Sequence, residues 1–482
     1  MSILSKLRRL VAMIFSVKDI ESALNVMPIV SQDQLNQIQE WVNCYNGYAE
    51  WNKPSVPSLN IAYSICAEIS RNVVSEFDTE ILGNDQMNEW YQTAVVDELG
   101  NIIERMGASG EVIMRPFVTK DRISIYPAMA GSYFPVRYSM DGVLESVVFV
   151  QRQQEGVYFY TLLTHCDWQA IEDSEFGEYT IDNIAYKSSQ KDMLGSPTSF
   201  SDVEAWAELE SSHTFITSMP WFVPITAPNS EAVFHRAMEL IRLADELDAM
   251  TTREFSNARS RVIMDKFMLD VGDGGSITDR DKDIYVGVDD ENIKPIIFNP
   301  EIRIKAYEER MQGLLRRIET SVGLSFGILS EPDRAERTAT EIKHGRQRFF
   351  VLVDSLKRQT EKSLKKLVVI MSEMANVYEL NGTYSDVIFN IGDSILRTSQ
   401  EELDEIDRTT NALLRLKAKG EAPEGLAFAY MLSQNSKVNN INKEMILEAK
   451  KRIDEHKPDD ETLKDDKTDV DTENEIYNQG YA

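Results

Sequence analysis

Between residues 19 and 106 the apolar positions recur mainly at helical spacing. SQDQLNQIQEWVNCYNGYAEW and the more apolar SLNIAYSICAEISRNVVSEF predict helices, with Pro54 and Pro57 punctuating the join. From Ser109 the period falls to two. EVIMRPFV, RISIYPAM, LESVVFVQRQ, VYFYTLLT and EYTIDNIAYK are short and rich in β-branched and aromatic residues, and turn signals such as MDG, QEG and SEFG separate them. They predict an antiparallel sheet region reaching to about Pro228. Helical spacing returns after Asn229-Ser230, with Phe234, Ala237, Met238, Ile241, Ala244 and Leu247, and runs to about Ala258. RVIMDKFMLDVGDGGSITDRDKDIYVGVDDENIKPIIFNPEI then reads as a small strand-and-turn module, and a further helix is predicted from about Pro300 to Ser321.

The pattern next breaks at SVGLSFGILSEPDRAERTAT, which mixes Gly323, Gly327 and Pro332 with apolar and charged residues. It is longer than a tight αα-hairpin needs, so it is expected to present something. From Thr338 to about Leu380 one long helix is predicted, with Phe349, Val353, Leu356, Leu367, Met371 and Met374 near one face. A strand, SDVIFNIG, follows, and helices are predicted at Gln400 to Lys417, Pro423 to Ser433 and Asn442 to His456. Residues 457–482 are acidic and poor in apolar side chains, which predicts a disordered tail. The fold class expected from this order is α+β, predominantly helical.

Composition narrows the function. At 482 residues and 42% hydrophobic content the chain is long enough for about three domains with real cores. Against 51 Lys and Arg stand 79 Asp and Glu, a formal charge of −28, which disfavours broad binding to phosphate backbones. Cys44, Cys66 and Cys166 are too widely spaced for a metal-ligand pattern and read as buried free thiols in a reducing compartment. At the N-terminus, Ile3, Leu7, Leu10, Ile14 and Phe15 share a helical face, with Lys6, Arg8 and Arg9 elsewhere. The apolar run Leu10 to Phe15 is too short to span a membrane, so residues 1–24 read as an amphipathic arm that docks on protein rather than on membrane.

Catalytic motifs are not found. The chain has no GxxxxGK[ST], strand-linked GxGxxG, HExxH or GxSxG. Neighbouring His165 and Cys166 point to opposite faces of a strand, which favours a structural pair over a nucleophile and its base. In DRDKDIYVGVDD, Asp279, Asp281 and Asp283 take the first, third and fifth positions of a calcium loop, but Ile284 replaces the turn glycine and Asp290 the bidentate glutamate. Solvated turn carboxylates are the expected reading. No cofactor, catalytic residue or metal ligand is therefore expected. From Arg334 to Lys366 ten Lys or Arg face four Asp or Glu. The basic residues spread around several helical faces, so pairing with acidic groups of the same or a neighbouring subunit is favoured over a nucleic-acid groove.

SLNIAYSICAEISRNVVSE and, more strongly, VGLSFGILSEPDRAERTATEI, taken with the order of elements, resemble the portal protein of tailed bacteriophages. The similarity is to the type found in phages of Gram-positive hosts and extends over roughly residues 40–455. The resemblance implies a ring of usually about twelve subunits at one capsid vertex, through which double-stranded viral DNA is packaged and ejected. Residues 25–228 would form a wing, 229–258 and 300–322 two stem helices, and 259–299 a clip. Residues 323–337 would be a tunnel loop, 338–398 the long wing helix and its strand, and 399–456 a crown.

Implied partners are further copies of the chain, the terminase large subunit, a head-tail connector or adaptor, and the major capsid and scaffolding proteins. The location would be the virion, and the host cytoplasm during assembly. Ser325, Phe326, Gly327, Ile328, Leu329, Ser330, Glu331 and Pro332 would face DNA in the channel. Asp273, Asp279, Asp281, Asp283, Asp289, Asp290 and Glu291 would dock the motor or connector. Arg334, Arg337, Lys343, Arg346 and Arg348 would lie between subunits, offsetting repulsion among chains that each carry −28. Two other readings stay open: a metal-dependent nuclease using the 279–290 carboxylates, and a virion scaffold or adaptor that forms no ring.

Overall fold

The computed structural model describes residues 15–75, 77–119, 122–191, 193–258, 261–265, 285–288, 296–298, 301–332 and 339–391. Contacts divide the chain at Phe389, and of the unit Asn390–Ala482 only Asn390 and Ile391 are described. The first helices begin where side chains can satisfy their free N–H groups. Ser16 and Asp19 form a capping box for α1 (Val17–Leu24), and Ser31 and Gln34 form another for α2 (Gln32–Tyr45). Helix α3 (Ile61–Val74) leads into strand β1 (Phe77–Leu82), which the helical reading of 19–106 did not foresee. Asn84 caps α4 (Asp85–Tyr91), which continues as a π-turn, and α5 (Leu99–Ser109) packs against α3.

Every strand read from alternation between residues 109 and 188 is present. β2 (Glu111–Thr119) and β3 (Arg122–Met129) form a hairpin joined on its open side by β10 (Val223–Thr226), in the order β10-β2-β3. β10 pairs only with Glu111 to Met114, so Pro116 of β2, which has no N–H to give, lies beyond its reach. A second sheet runs β4 (Tyr133–Tyr138), β5 (Leu144–Glu155), β6 (Tyr158–Ala170), β7 (Gly177–Ser188), β8 (Ser196–Thr198), and β9 (Ser212–Thr217) shares the β7 edge with β8. Phe15 and Ile20 pack with Leu35, Phe134, Val148 and Leu163, and the Arg152 guanidinium lies over the Phe15 ring. Phe15 and α1 thus pack against the second sheet. Residues 1–14 lie outside the described residues.

The second half is built from long helices. α6 (Met238–Asn257) precedes a three-stranded sheet of β11 (Arg261–Asp265), β12 (Tyr285–Val288) and β13 (Ile296–Phe298), ordered β12-β11-β13. α7 (Ile304–Val322) follows, then α8 (Ala339–Val377), 39 residues long and at about 1.5 Å each roughly 58 Å. β14 (Asp386–Ile391) pairs with β1. α8 crosses the β10-β2 sheet and α3, with Ser363 Oγ donating to Pro224 O at 2.9 Å. Phe349, Val353, Leu356, Leu367, Met371 and Met374 are all buried, as the helical spacing required.

One expectation is corrected. Helix makes up 44% and strand 28% of the described residues, so the chain is a mixed α/β fold and not a predominantly helical one. The extra strands β1, β4, β8, β9 and β10 are short or lack clean alternation, which hid them from pattern reading. The helices expected at 400–456 and the acidic tail lie outside the described residues.

The packing of α8 generates a test. Leu356→Asp puts a charge into a closed apolar contact and should lower stability by about 3–5 kcal/mol, while Val351→Asp on the exposed side should stay within about 0.5 kcal/mol. Urea titrations of both variants decide it, and equal midpoints would contradict the packing.

Candidate functional site

α6 and α7 lie antiparallel. Arg303, just before α7, reaches Glu254 near the end of α6 with Nε to Oε1 and Nη2 to Oε2 both at 3.0 Å, and α7 also packs on the His235–Ala237 turn that precedes α6. The fork holds the Glu254 carboxyl below its ordinary value, chiefly through its hydrogen bonds. Towards its β11 end the pair offers little core. Met250 and Phe255 are 53% and 48% exposed, and Ile302 is exposed as well.

Two carboxylates on this pair are withdrawn from water. Asp245 of α6 accepts from Trp51 Nε1 at 2.9 Å, Asn52 Nδ2 at 3.0 Å and Leu59 N at 2.9 Å, and so fastens the 47–59 loop to the helix. Nearby, burial first and Asp245 second push the Cys44 thiol up to about 12. Glu319 of α7 does the same for the segment that follows. Its Oε1 accepts from the backbone N–H of Gly327 at 3.1 Å, Leu329 at 2.7 Å and Ser330 at 2.9 Å, and its Oε2 from Ser330 Oγ at 2.8 Å.

This nest explains the sequence of the break. Gly323 ends α7 at φ 88°, where L side chains strain, and Gly327 turns at φ 90° with Pro332 packed on it. The chain then runs back along its own helix, because Glu331 N donates to Gln312 Oε1 at 2.8 Å. Ser325 and Ser330 are buried, Gly327, Ile328 and Leu329 half-buried, and Phe326, Glu331 and Pro332 exposed. Residues 323–331 therefore fold back onto α7. Three of the segment's backbone N–H groups and the Ser330 hydroxyl are gathered on one buried acid, and Phe326 is the large apolar side chain it leaves in solvent. An open groove of about 570 Å³ alongside is lined by Lys305, Glu308, Glu309, Gln312, Arg316 and Glu331.

Asp273, Asp279, Asp281, Asp283, Asp289, Asp290, Glu291, Arg334 and Arg337 lie outside the described residues. Lys343 and Arg346 fall in the first turns of α8, and Arg348 is exposed there. Further along α8 the pairing expected of the basic stretch occurs within the helix: Arg358 with Asp354 at 3.0 Å and Lys365 with Glu361 at 2.6 Å. Among the described residues no group of three or more His, Cys, Asp or Glu is placed to hold a metal ion, and no helix is long and apolar enough to cross a membrane.

The His165-Cys166 pair is split by the strand, as expected. Cys166 is wholly buried, which raises its thiol, while His165 Nε2 lies 3.0 Å from Ser146 Oγ with its pKa lowered by burial. A thiol held protonated cannot serve as an attacking thiolate.

Sequence reading missed Glu319 and Asp245, although both carried a signal. Glu319 is an acid in the last turn of a helix, against the macrodipole, and follows Ile318 on the buried side. Asp245 sits between Ile241 and Ala249 in an apolar stripe. A carboxylate in either setting demands donors from elsewhere.

No protein-family model matches the chain, and no curated protein matches it.

Two measurements follow. Glu319→Ala strands several buried donors and should cost about 2–5 kcal/mol, with faster amide exchange at Leu329 and Ser330. Ser330→Ala should cost about 1 kcal/mol, and unchanged exchange in both variants would dismiss the nest. For His165 the folded state disfavours the imidazolium, so the stability it contributes is present above the ordinary histidine value and lost as pH falls through it. His165→Asn should flatten the decline of the urea midpoint between about pH 7 and about pH 5, and an unaltered slope would contradict this.

Proposed function

We propose that this chain is a subunit of a portal ring, a structural channel at a capsid vertex through which viral double-stranded DNA enters and leaves. The observation that carries this reading is the path of the second half. An antiparallel helix pair bears a small sheet between its far ends, and its second helix passes through a glycine-bounded segment into a 39-residue helix that crosses the β10-β2 sheet. In this reading α6 and α7 are the stem, β11 to β13 belong to the clip that meets the terminase and the connector, and 323–337 faces the channel. A chain with a formal net charge of −28 offers few of the cationic contacts that would make DNA stick, and Phe326 supplies an apolar surface without a grip.

Exposed Met250, Phe255 and Ile302 also support assembly, because apolar side chains along a helix pair favour another protein surface over water. A ring closes this surface in a way an open filament does not. The nuclease and scaffold readings gain no specific observation among the described residues.

The experiment is assembly of the purified full-length chain. Native mass spectrometry should give a particle at a large multiple of 55.0 kDa, and negative-stain images should give closed rings with a central channel. Phe255→Asp should weaken assembly while leaving the circular dichroism of the subunit unchanged. A stable monomer at micromolar concentration would sink the proposal.

A further inference from the structure

β9 is paired on one side only. It runs antiparallel to β7, from Ser212 opposite Asp182 to Thr217 opposite Gly177, with no register shift, and among the described residues no strand lies on its other side. Asn183 N donates to Ser211 O at 2.8 Å, which sets the alternation. Residues 213, 215 and 217 exchange hydrogen bonds with β7, so Ser212, Thr214 and Ile216 turn their N–H and C=O outwards. The side chains of these three are exposed, Ile216 at 59%. Folded proteins commonly blunt such an edge with lysine, proline or a bulge, and Ser212–Thr217 has none of these.

The edge is framed by acid. Glu172, Asp173 and Glu175 in the β6-β7 turn lie by the Thr217 end, Glu178 stands opposite Ile216, and Glu208 and Glu210 precede Ser212; all are exposed. Residues 171–186 and 203–222 contain no Lys or Arg. A second copy pairing β9 with β9 would bring these acidic flanks together, which opposes self-association through this edge.

We propose that the free edge of β9 is a docking site for an extended, cationic segment of a partner polypeptide, added to the sheet as a further strand. Outward main-chain groups of Ser212, Thr214 and Ile216 would hold its backbone, and the flanking carboxylates would select lysine or arginine side chains. This proposal does not depend on the ring reading, and its test reads a different surface.

The probe is a fluorescent peptide of alternating lysine and valine, with binding to the full-length protein followed by anisotropy. Binding should be lost when glutamate replaces lysine, and also when alternate amides of the peptide are N-methylated, since methylation removes strand donors but keeps the charge. Thr214→Pro deletes an outward N–H without touching the β7 ladder, and Ile216→Lys repels the cation; each should weaken binding at least about tenfold. Circular dichroism identifies any variant that fails to fold, and Ile216→Lys stands in if the proline does. Equal binding of the methylated peptide, no binding of the lysine peptide, or unchanged binding by Ile216→Lys would each overturn the proposal. So would dimerisation of the free protein that Ile216→Lys abolishes, which would assign the edge to a second copy.

Discussion

A carboxylate taken out of water must be ringed by donors, and that requirement ties together the parts of this molecule that sequence leaves far apart. Asp245 on α6 and Glu319 on α7, both buried, answer it with groups from a loop, and the half-buried Glu373 on α8 is partnered in the same way. Asp245 draws in Trp51, Asn52 and Leu59, and Glu373 receives Ser218 N at 3.1 Å and Trp221 Nε1 at 3.3 Å. Glu319 organises the connection between α7 and α8. Without these acceptors the loops would have unpaired backbone or indole N–H groups, and without the loop donors the helices would carry uncompensated charge. Apolar packing supplies the bulk of the cohesion here, but the acids decide which loop lies on which helix.

The sequence made the repetitive elements legible because their physics is local. Alternation located β2, β3, β5, β6 and β7, and the 3.6-residue period identified the buried face of α8 down to Phe349, Leu356 and Met374. Short strands such as β1 and β8 depend on partners that lie far off in the chain or in irregular surroundings, so their own residues give little notice. The same holds at the candidate site. Gly323, Gly327 and Pro332 announced a shaped segment, but not whether it would project or fold back. Glu319 decides that, four residues before the first of those glycines and inside what reads as ordinary helix. The basic stretch was half legible: i,i+4 spacing anticipates Arg358 with Asp354 and Lys365 with Glu361, whereas the burial of Lys357 on α8 is something no local pattern expresses.

The tie at Asp245 has a consequence for how the protein comes into being. Trp51, Asn52 and Leu59 are separated from their acceptor by 194, 193 and 186 residues. During synthesis the loop that holds them leaves the ribosome long before Asp245 exists, and at about 5–20 residues per second it waits on the order of ten seconds or more for its acceptor. The antiparallel β-hairpins of the first half can close in that interval, since β-hairpins form in about microseconds. The N-terminal helices can therefore meet formed β-hairpins before they meet α6, and that later encounter is completed when one acid accepts hydrogen bonds from three waiting donors.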